Sequence, residues 1–202
     1  MQAKTILAQE AEQLQRRELI EGFCRAVEER GLAATTIADI VRHARVSKRT
    51  FYEHFADKDE CFFAAYRAVS ADVMRQVAGA VDFDASLEAQ IEAAVRAYVG
   101  ALDSRPKLTR AFFLEIHAAG PGAIELRREV LSEFAELTRS FAGEARRRQP
   151  ALQPLTPAMA TAMVGGINEL MLLKVERQMK LDELGDTAVA LCKALVAPRR
   201  AR

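Results

Sequence analysis

Residues 35–60 read TTIADIVRHARVSKRTFYEHFADKDE, and this stretch decides the fold of the N-terminal part of the chain. Thr36 is a favourable helix N-cap, and Asp39 stands three residues later, at the reciprocal position of a capping box. Residues 44–46 interrupt the helical spacing of apolar residues, and Ser47 is a second N-cap residue. The pattern predicts two short helices joined by a three-residue turn, which is a helix-turn-helix.

The second of these helices has two chemically different sides. Phe51 and Phe55 belong to its apolar side, whereas its first residues are hydroxyls and cations. In a helix-turn-helix, these first residues reach base edges in the DNA major groove, and such side chains suit phosphates and guanine edges. The alternative is a generic helical hairpin with a solvated basic face. We predict positions at or near base edges for Ser47, Lys48, Arg49 and Thr50.

The wider pattern I-x-x-x-A-x-V-S-x-x-T-F-Y-x-H-F-x-x-K, from Ile40 to Lys58, resembles the signature of the TetR family of bacterial transcriptional regulators. The sequence departs from this signature at two positions. Arg45 stands where a turn glycine is usual, and a non-glycine residue in a left-handed turn costs roughly 1 kcal/mol. Val41 stands where alanine is usual, and we expect it to widen slightly the crossing of two helices.

The resemblance implies further DNA contacts at the matching positions. Thr36 and Lys58 would hold phosphates at the starts of two helices. Tyr52 and His54 would contact the DNA backbone from the second helix of the motif. Arg45 departs from the signature, so the resemblance implies no role for it, but we expect its cationic side chain to add a phosphate contact from the turn.

Composition and charge are compatible with this interpretation. The formal net charge is only +1, but residues 42–49 contain four cations and no acid. A local basic patch is enough to attract phosphates. Half of the residues are apolar and no strand-like alternation occurs, so the chain is predicted to be all-α, with about nine helices.

Other function classes lack their usual signatures. The chain has no phosphate-binding glycine loop, no HExxH motif and no histidine beside a nucleophile, so we predict neither catalysis nor a cofactor. The three cysteines lie far apart and are predicted to be buried, reduced thiols rather than zinc ligands. The alternative is a helical protein-interaction module without a DNA partner, but the clustering of Lys48, Arg49 and Tyr52 on one helix face argues against it.

The N-terminal residues are too polar for a signal peptide. The longest apolar run, near residues 163–173, is interrupted by Asn168 and Glu169 and is too short to span a bilayer. These features predict a cytoplasmic protein.

The chain is predicted to divide into a helix-turn-helix DNA-binding domain at residues 1–57 and a ligand-binding and dimerisation domain at residues 58–202, with the helix that starts at residue 58 linking them. In the seventh helix, Ile124 and Phe134 are expected to face inward. The eighth helix is apolar almost all round, which suits a homodimer interface formed by the last two helices. The alternative is a monomer that buries the eighth helix internally.

The resemblance also implies a small-molecule pocket among the middle helices, whose ligand changes the spacing of the two DNA-binding domains of a dimer. The chain would then be a repressor that binds a palindromic operator in double-stranded DNA and is released by a small hydrophobic or aromatic effector. Plain core packing is the alternative for most apolar candidates. The candidate ligand contacts are Tyr98, Phe112, Phe113, Glu115, His117, Met163, Ile167, Asn168 and Met171.

Overall fold

The computed structural model describes residues 2–118, 121–177 and 182–197. Within these ranges the chain forms nine α-helices and one short 3-10 turn, with no β-strand, which confirms the predicted all-α class. The helices are α1 Gln2–Arg30, α2 Ile37–Ala44, α3 Lys48–His54, α4 Lys58–Ala80, α5 Leu87–Asp103, α6 Pro106–Leu114, α7 Pro121–Arg148, α8 Pro157–Glu176 and α9 Asp182–Val196, with the 3-10 turn at Glu115–Ala118 between α6 and α7.

The helices pack as two compact units, and the division falls inside α4. The first unit contains α1, α2, α3, α4 as far as Val69, α6 and the 3-10 turn. The second contains the rest of α4 together with α5, α7, α8 and α9. The functional boundary expected at residues 57 and 58 stays a prediction, because a division by packing does not identify which residues bind DNA.

The core of the first unit forms around the inner stripe of α1. Leu19, Phe23 and Val27 recur at helical spacing and are fully buried. The rings of Phe23 and Phe62 lie 6.0 Å apart and join α1 to α4. Helix α1 ends as the sequence indicates, because Gly31 adopts the left-handed conformation (φ 81°) that is common just beyond a helix C-terminus.

The backbone of α1 approaches α2 very closely at Gly22. A Cβ atom at Gly22 would lie 2.7 Å from the Ile40 carbonyl oxygen and 2.8 Å from the Ala44 amide nitrogen. Both of these atoms belong to the α2 backbone, so neither can rotate away as a side chain could. Val41 is accommodated as a buried residue of α2, and the crossing of α1 and α2 is close at this point.

The second unit has its own apolar core. Ala135 of α7 and Met163 of α8 are buried together, and Leu191 of α9 packs against the same cluster. Thr156 caps α8 and Pro157 is its first residue, as predicted, because the Thr156 hydroxyl accepts a hydrogen bond from the Met159 amide at 3.2 Å.

The predicted inner stripe of α7 is wrong at its first member. Ile124 is exposed, whereas Leu126, two residues further on, is buried. The buried stripe of α7 runs through Ala123, Leu126 and Val130, and Ile124 lies beside it on the exposed side. Phe134 is half-buried and forms an edge-on ring pair with Tyr98 of α5 at 5.9 Å.

Helix α8 is long and apolar enough to cross a membrane by length and composition alone. These properties are weak evidence for a membrane span, because an interior helix of a water-soluble protein passes the same test. Within the single chain, 28% of its most apolar window is buried. The predicted burial of α8 on several sides is therefore not completed by the chain alone.

All three cysteines are free thiols, as expected, with Cys24 and Cys61 buried and Cys192 half-buried. Burial raises the pKa of Cys61 to about 12 and that of Cys192 to about 11, so both remain protonated at neutral pH. Among the described residues, no cluster of three or more histidine, cysteine, aspartate or glutamate side chains could hold a metal ion.

The close crossing at Gly22 leads to a paired prediction. Gly22→Ala should lower the free energy of unfolding by about 1–3 kcal/mol, because the added methyl group forces the α1 and α2 backbones apart. The matched control is Gly100→Ala in α5, where a Cβ meets no atom within 4 Å, so the better helix propensity of alanine should stabilise the chain by up to about 1 kcal/mol. Urea unfolding of both variants measures the two changes. Equal effects at the two positions would contradict the close crossing.

Candidate nucleic-acid interface

The start of α2 is fixed by the predicted capping box. The Thr36 hydroxyl and amide donate to Asp39 Oδ2 at 2.6 and 3.1 Å, and the Asp39 amide donates back to Thr36 Oγ1 at 3.3 Å. These hydrogen bonds from Thr36, with the charges of Arg30 and Arg42, lower the pKa of Asp39. Because the Thr36 hydroxyl already donates to the Asp39 carboxylate, it can donate to a phosphate only after its hydrogen rotates away from Asp39. The contact stays a prediction.

The turn between α2 and α3 has the left-handed residue that the sequence predicts at Arg45. Arg45 adopts φ 57° and ψ 35° and is the one non-glycine residue with positive φ in the described part of the chain. Its amide donates to the Arg42 carbonyl at 3.4 Å, and the Val46 amide donates to the Val41 carbonyl at 3.1 Å. This is the Schellman arrangement, in which glycine is usual. The Arg45 side chain is exposed.

Helix α3 is capped by Ser47 and anchored by its phenylalanines. The Ser47 hydroxyl oxygen lies 3.0 Å from the Thr50 amide, which donates to it, and 3.0 Å from the Thr50 hydroxyl. Phe51 and Phe55 are buried, with ring centroids 5.7 Å apart. Burial of this face fixes the rotation of α3, so its other face points to solvent.

That outer face carries the side chains that sequence reasoning singled out. Lys48 is exposed, the Arg49 side chain is 90% exposed, and Tyr52 is 58% exposed despite its aromatic ring. Arg49 Nε donates to Glu53 Oε1 at 3.1 Å. Because a guanidinium has five donors in a fixed fork, this pair leaves its outer nitrogens available for a base or phosphate. An exposed pair of this kind is weak and easily exchanged.

Two contacts connect α3 to α1. The Nε2 atom of His54 lies 3.4 Å from Gln15 Oε1, so His54 donates if that nitrogen is protonated. The Arg16 guanidinium lies 5.0 Å from the centroid of the Phe55 ring, a cation–π distance. His54 is half-buried, and its contact with the DNA backbone stays a prediction.

Lys58 makes contacts that the sequence did not indicate. Its ammonium group donates to the Leu32 carbonyl at 3.3 Å and to the Thr35 carbonyl at 3.2 Å. Both carbonyls belong to the segment between α1 and α2, so Lys58 holds the loop that presents Thr36. One of the three ammonium hydrogens is left for another acceptor. The phosphate contact of Lys58 stays a prediction, and the observed geometry gives it a positioning role.

The basic run at residues 42–49 is less cationic in the structure than in the sequence. Arg42 Nη2 lies 2.8 Å from Glu29 Oε2 and 3.7 Å from Asp39 Oδ1, and His43 Nε2 lies 2.8 Å from Glu29 Oε2. Hydrogen bonds from Arg42 and then His43 lower the pKa of Glu29, and Glu29 raises the pKa of Arg42. The sequence interpretation missed this pairing, because Glu29 lies on α1.

All nine predicted DNA-contact residues lie in the first unit, between the cap of α2 and the start of α4. The side chains of six of them are exposed, whereas Thr50, His54 and Lys58 are half-buried. The exposed six are Thr36, Arg45, Ser47, Lys48, Arg49 and Tyr52.

The predicted ligand-contact residues are distributed over both compact units. Phe112, Phe113 and Glu115 belong to the first, where the Phe112 ring lies 5.7 Å from that of Phe62 and 5.1 Å from that of Tyr66. The His117 side chain lies outside the part that the structure describes. The second unit holds Tyr98, Met163, Ile167, Asn168 and Met171.

Several of these candidates fill cores. Phe112, Met163 and Met171 are buried among apolar neighbours, which is the packing alternative. Asn168 is also buried, and its Oδ1 accepts a hydrogen bond from Arg127 Nη2 of α7 at 3.1 Å. Sequence reasoning did not include Arg127. The sequence signal that could have indicated Arg127 is its position between two apolar residues, Leu126 and Val130, which are buried in the structure.

The part of the chain that forms this candidate interface matches the model of a known protein family. Residues 19–65, from the buried part of α1 to the first turns of α4, match the family model TetR_N, described as "Bacterial regulatory proteins, tetR family". The N-terminal head, residues 19–65, belongs to the TetR family of transcriptional regulators. This confirms the resemblance on which the sequence interpretation rested.

Solved structures of TetR-like proteins share the fold over nearly the whole chain. The fatty acid degradation regulator FadR from Bacillus halodurans is 16% identical with a TM-score of 0.73, covering 92% of this chain and 97% of its own. FadR from Bacillus subtilis in complex with stearoyl-CoA is 16% identical with a TM-score of 0.70, and the match covers 91% of this chain and 99% of that one. A putative TetR-family regulator from Mesorhizobium loti is 19% identical with a TM-score of 0.70, and the match covers 91% of this chain and 96% of that one. No curated protein matches the sequence significantly.

The left-handed Arg45 predicts opposite effects for one substitution made at two positions. Arg45→Gly should raise the free energy of unfolding by about 0.5–1 kcal/mol, because glycine removes the left-handed penalty but adds freedom to the unfolded chain. Arg17→Gly, at an exposed position inside α1, should lower it by about 1 kcal/mol. Urea unfolding measures both. Destabilisation by Arg45→Gly would show that the arginine side chain stabilises the turn.

Proposed function

We propose that the chain is a transcriptional repressor that binds a palindromic operator as a homodimer and leaves it when a small hydrophobic effector binds. The TetR head supports the DNA-binding part of this proposal. A bacterial regulator of this kind acts on DNA in the cytoplasm and has no catalytic role.

The observation that carries the proposal is the outer face of α3. Lys48, Arg49 and Tyr52 are exposed together, while Phe51 and Phe55 on the opposite side are buried. The buried side prevents α3 from turning, so the cations and the phenol are presented as a fixed group. A cationic helix face of this size fits the major groove, and its residue types suit phosphates and guanine edges.

The direct experiment is anisotropy of a labelled duplex from upstream of the protein's own gene, compared with a scrambled duplex at two salt concentrations. A preference for the upstream duplex that persists at the higher salt supports sequence reading. Equal binding to both duplexes, lost at higher salt, would mean that the basic face makes only phosphate contacts.

Arg49 allows the reading role to be tested at one residue. Arg49→Ala should weaken operator binding by about 1–3 kcal/mol and relax the base preference at one position of each half-site. Arg96→Ala in α5 is the matched control, since that arginine is also exposed and paired four residues away, with Glu92 at 3.7 Å. Anisotropy against single-base operator variants measures both effects. An equal loss on every duplex would assign Arg49 to a phosphate.

The homodimer part of the proposal rests on α8 and α9. Helix α8 exposes Leu173 (38%) and leaves Val164 and Leu172 half-buried in the single chain. Soluble monomers rarely expose large apolar patches. A second copy of α8 and α9 covers such a face, and two heads then read two half-sites in successive major grooves.

Leu173→Glu should convert the dimer to a monomer, because a carboxylate in an apolar interface must be desolvated without a partner. The expected mass falls from twice 22.3 kDa to 22.3 kDa in light-scattering chromatography. Ile124→Glu, at an exposed large aliphatic residue on α7 of the second unit, should leave the dimer intact. A monomeric wild-type protein, or a Leu173→Glu dimer, would contradict the α8 interface.

The effector part rests on the apolar second unit and on its fold. The Bacillus subtilis FadR structure, which has this fold, contains stearoyl-CoA. An apolar effector among α5, α7 and α8 would release DNA only if it binds one arrangement of the dimer better than the other, and each tenfold difference in affinity is worth about 1.4 kcal/mol. Three predicted contacts in this unit differ from plain aliphatic core. Tyr98 and Ile167 are only half-buried, and Asn168 is buried but polar.

A further inference from the structure

A guanidinium and an amide lie together inside the second unit. Arg127 of α7 is half-buried between the buried residues Leu126 and Val130. Asn168 of α8 is 7% exposed, and its Oδ1 accepts from Arg127 Nη2 at 3.1 Å. Because a guanidinium has no acceptor, this bond fixes which end of the amide faces Arg127.

The pair is unbalanced in charge. In the described part of the chain, Arg127 has no carboxylate partner, whereas the next residue, Arg128, pairs with Glu125. A cation taken partly out of water loses hydration that a neutral amide only partly replaces. The site therefore favours an anion that approaches the guanidinium.

The pair is also unbalanced in hydrogen bonding. Arg127 uses one of its five N–H donors on Asn168, and the two amide hydrogens of Asn168 have no acceptor among the described residues. Apart from the second lone pair of Asn168 Oδ1, the groups left without a partner are donors, and they lie on two helices that pack against each other. Donors that converge around a fixed positive charge match the oxygens of a carboxylate or phosphate.

We propose that Arg127 and Asn168 form an oxyanion-binding site, so that the effector is an amphipathic anion: an apolar body with a carboxylate or phosphate head. The guanidinium binds one oxygen, the Asn168 NH2 donates to the same head, and neighbouring apolar residues of α7 and α8 contact the body. This inference deepens the effector part of the proposed function and rests on it. The competing role is structural, in which the bond only ties α7 to α8.

The test uses three probes with one apolar body and different heads, each below its micelle concentration: dodecanoate, dodecyl phosphate and dodecanol. Titration calorimetry on the full chain should show that at least one of the two anions binds about 10- to 100-fold more tightly than dodecanol, as expected for hydrogen bonds to a charged group. Preference for dodecanoate identifies a carboxylate head, and preference for dodecyl phosphate identifies a phosphate head. Equal affinity for all three probes, or no binding of either anion, would overturn the proposal.

Two variants separate an anion site from a structural bond. Arg127→Met keeps an unbranched side chain but removes the charge, and it should abolish the preference for the anionic probe. Asn168→Asp places a carboxylate against Arg127 and should abolish the same preference by occupying the guanidinium, even if Arg127→Met proves too unstable to assay. Arg128→Met, at the exposed neighbour, should keep the preference. Retention of the preference in Asn168→Asp would contradict the site.

The outcome is independent of DNA binding. Selective binding of an anion without operator binding would uphold this site and reject the regulator proposal. Operator binding without anion selectivity would reject the site and leave the regulator proposal intact. If an anion binds selectively but does not change operator affinity, the site stands and the release mechanism fails.

Discussion

The close contact of α1 and α2 at Gly22 is the constraint on which the rest of the head depends. At this position α1 has no Cβ, so its backbone lies directly against the carbonyl of Ile40 and the amide of Ala44. That contact fixes where α2 lies against α1, and α2 ends at the left-handed turn at Arg45. The turn in turn directs α3 outward. Helix α3 has only seven residues and little stability of its own, so its orientation comes from the contacts with α1 and α2 and from the burial of Phe51 and Phe55.

Electrostatics refines this arrangement without creating it. Glu29 and Asp39 pair with Arg42, which ties α1 to α2 and removes one cation from the basic run. The pKa values of both carboxyl groups are lowered, so these contacts stabilise the head above the ordinary carboxyl pKa and lose that effect as the pH falls through the lowered values. Lys58 similarly holds the segment between α1 and α2, through its hydrogen bonds to the carbonyls of Leu32 and Thr35. The exposed cations of the basic run that lie outside this network are Arg45, Lys48 and Arg49.

Local features could be predicted from the sequence, and long-range ones could not. The caps at Thr36, Ser47 and Thr156 follow from side-chain chemistry over three or four residues. The left-handed Arg45 follows from its place in the pattern. Gly22, the Glu29–Arg42 pair and the contacts of Lys58 join residues 13 to 26 positions apart, and no local rule indicates such pairings. The bond between Arg127 and Asn168 was missed for the same reason. Ile124 was assigned inward because it is the large apolar residue of the first turn of α7, but the buried stripe passes through its neighbour Ala123.

The central claim is that the outer face of α3 reads DNA sequence, and the measurement that tests it most directly works even when the operator is not known. Duplexes bound by the full chain are selected from a random pool and sequenced, for the wild type and for a Lys48→Ala, Arg49→Ala double variant. The account predicts an enriched palindrome for the wild type, with half-sites about 10 base pairs apart or a multiple of this, and its loss in the variant. A pool without any enriched motif, or the same motif from both proteins, would contradict it.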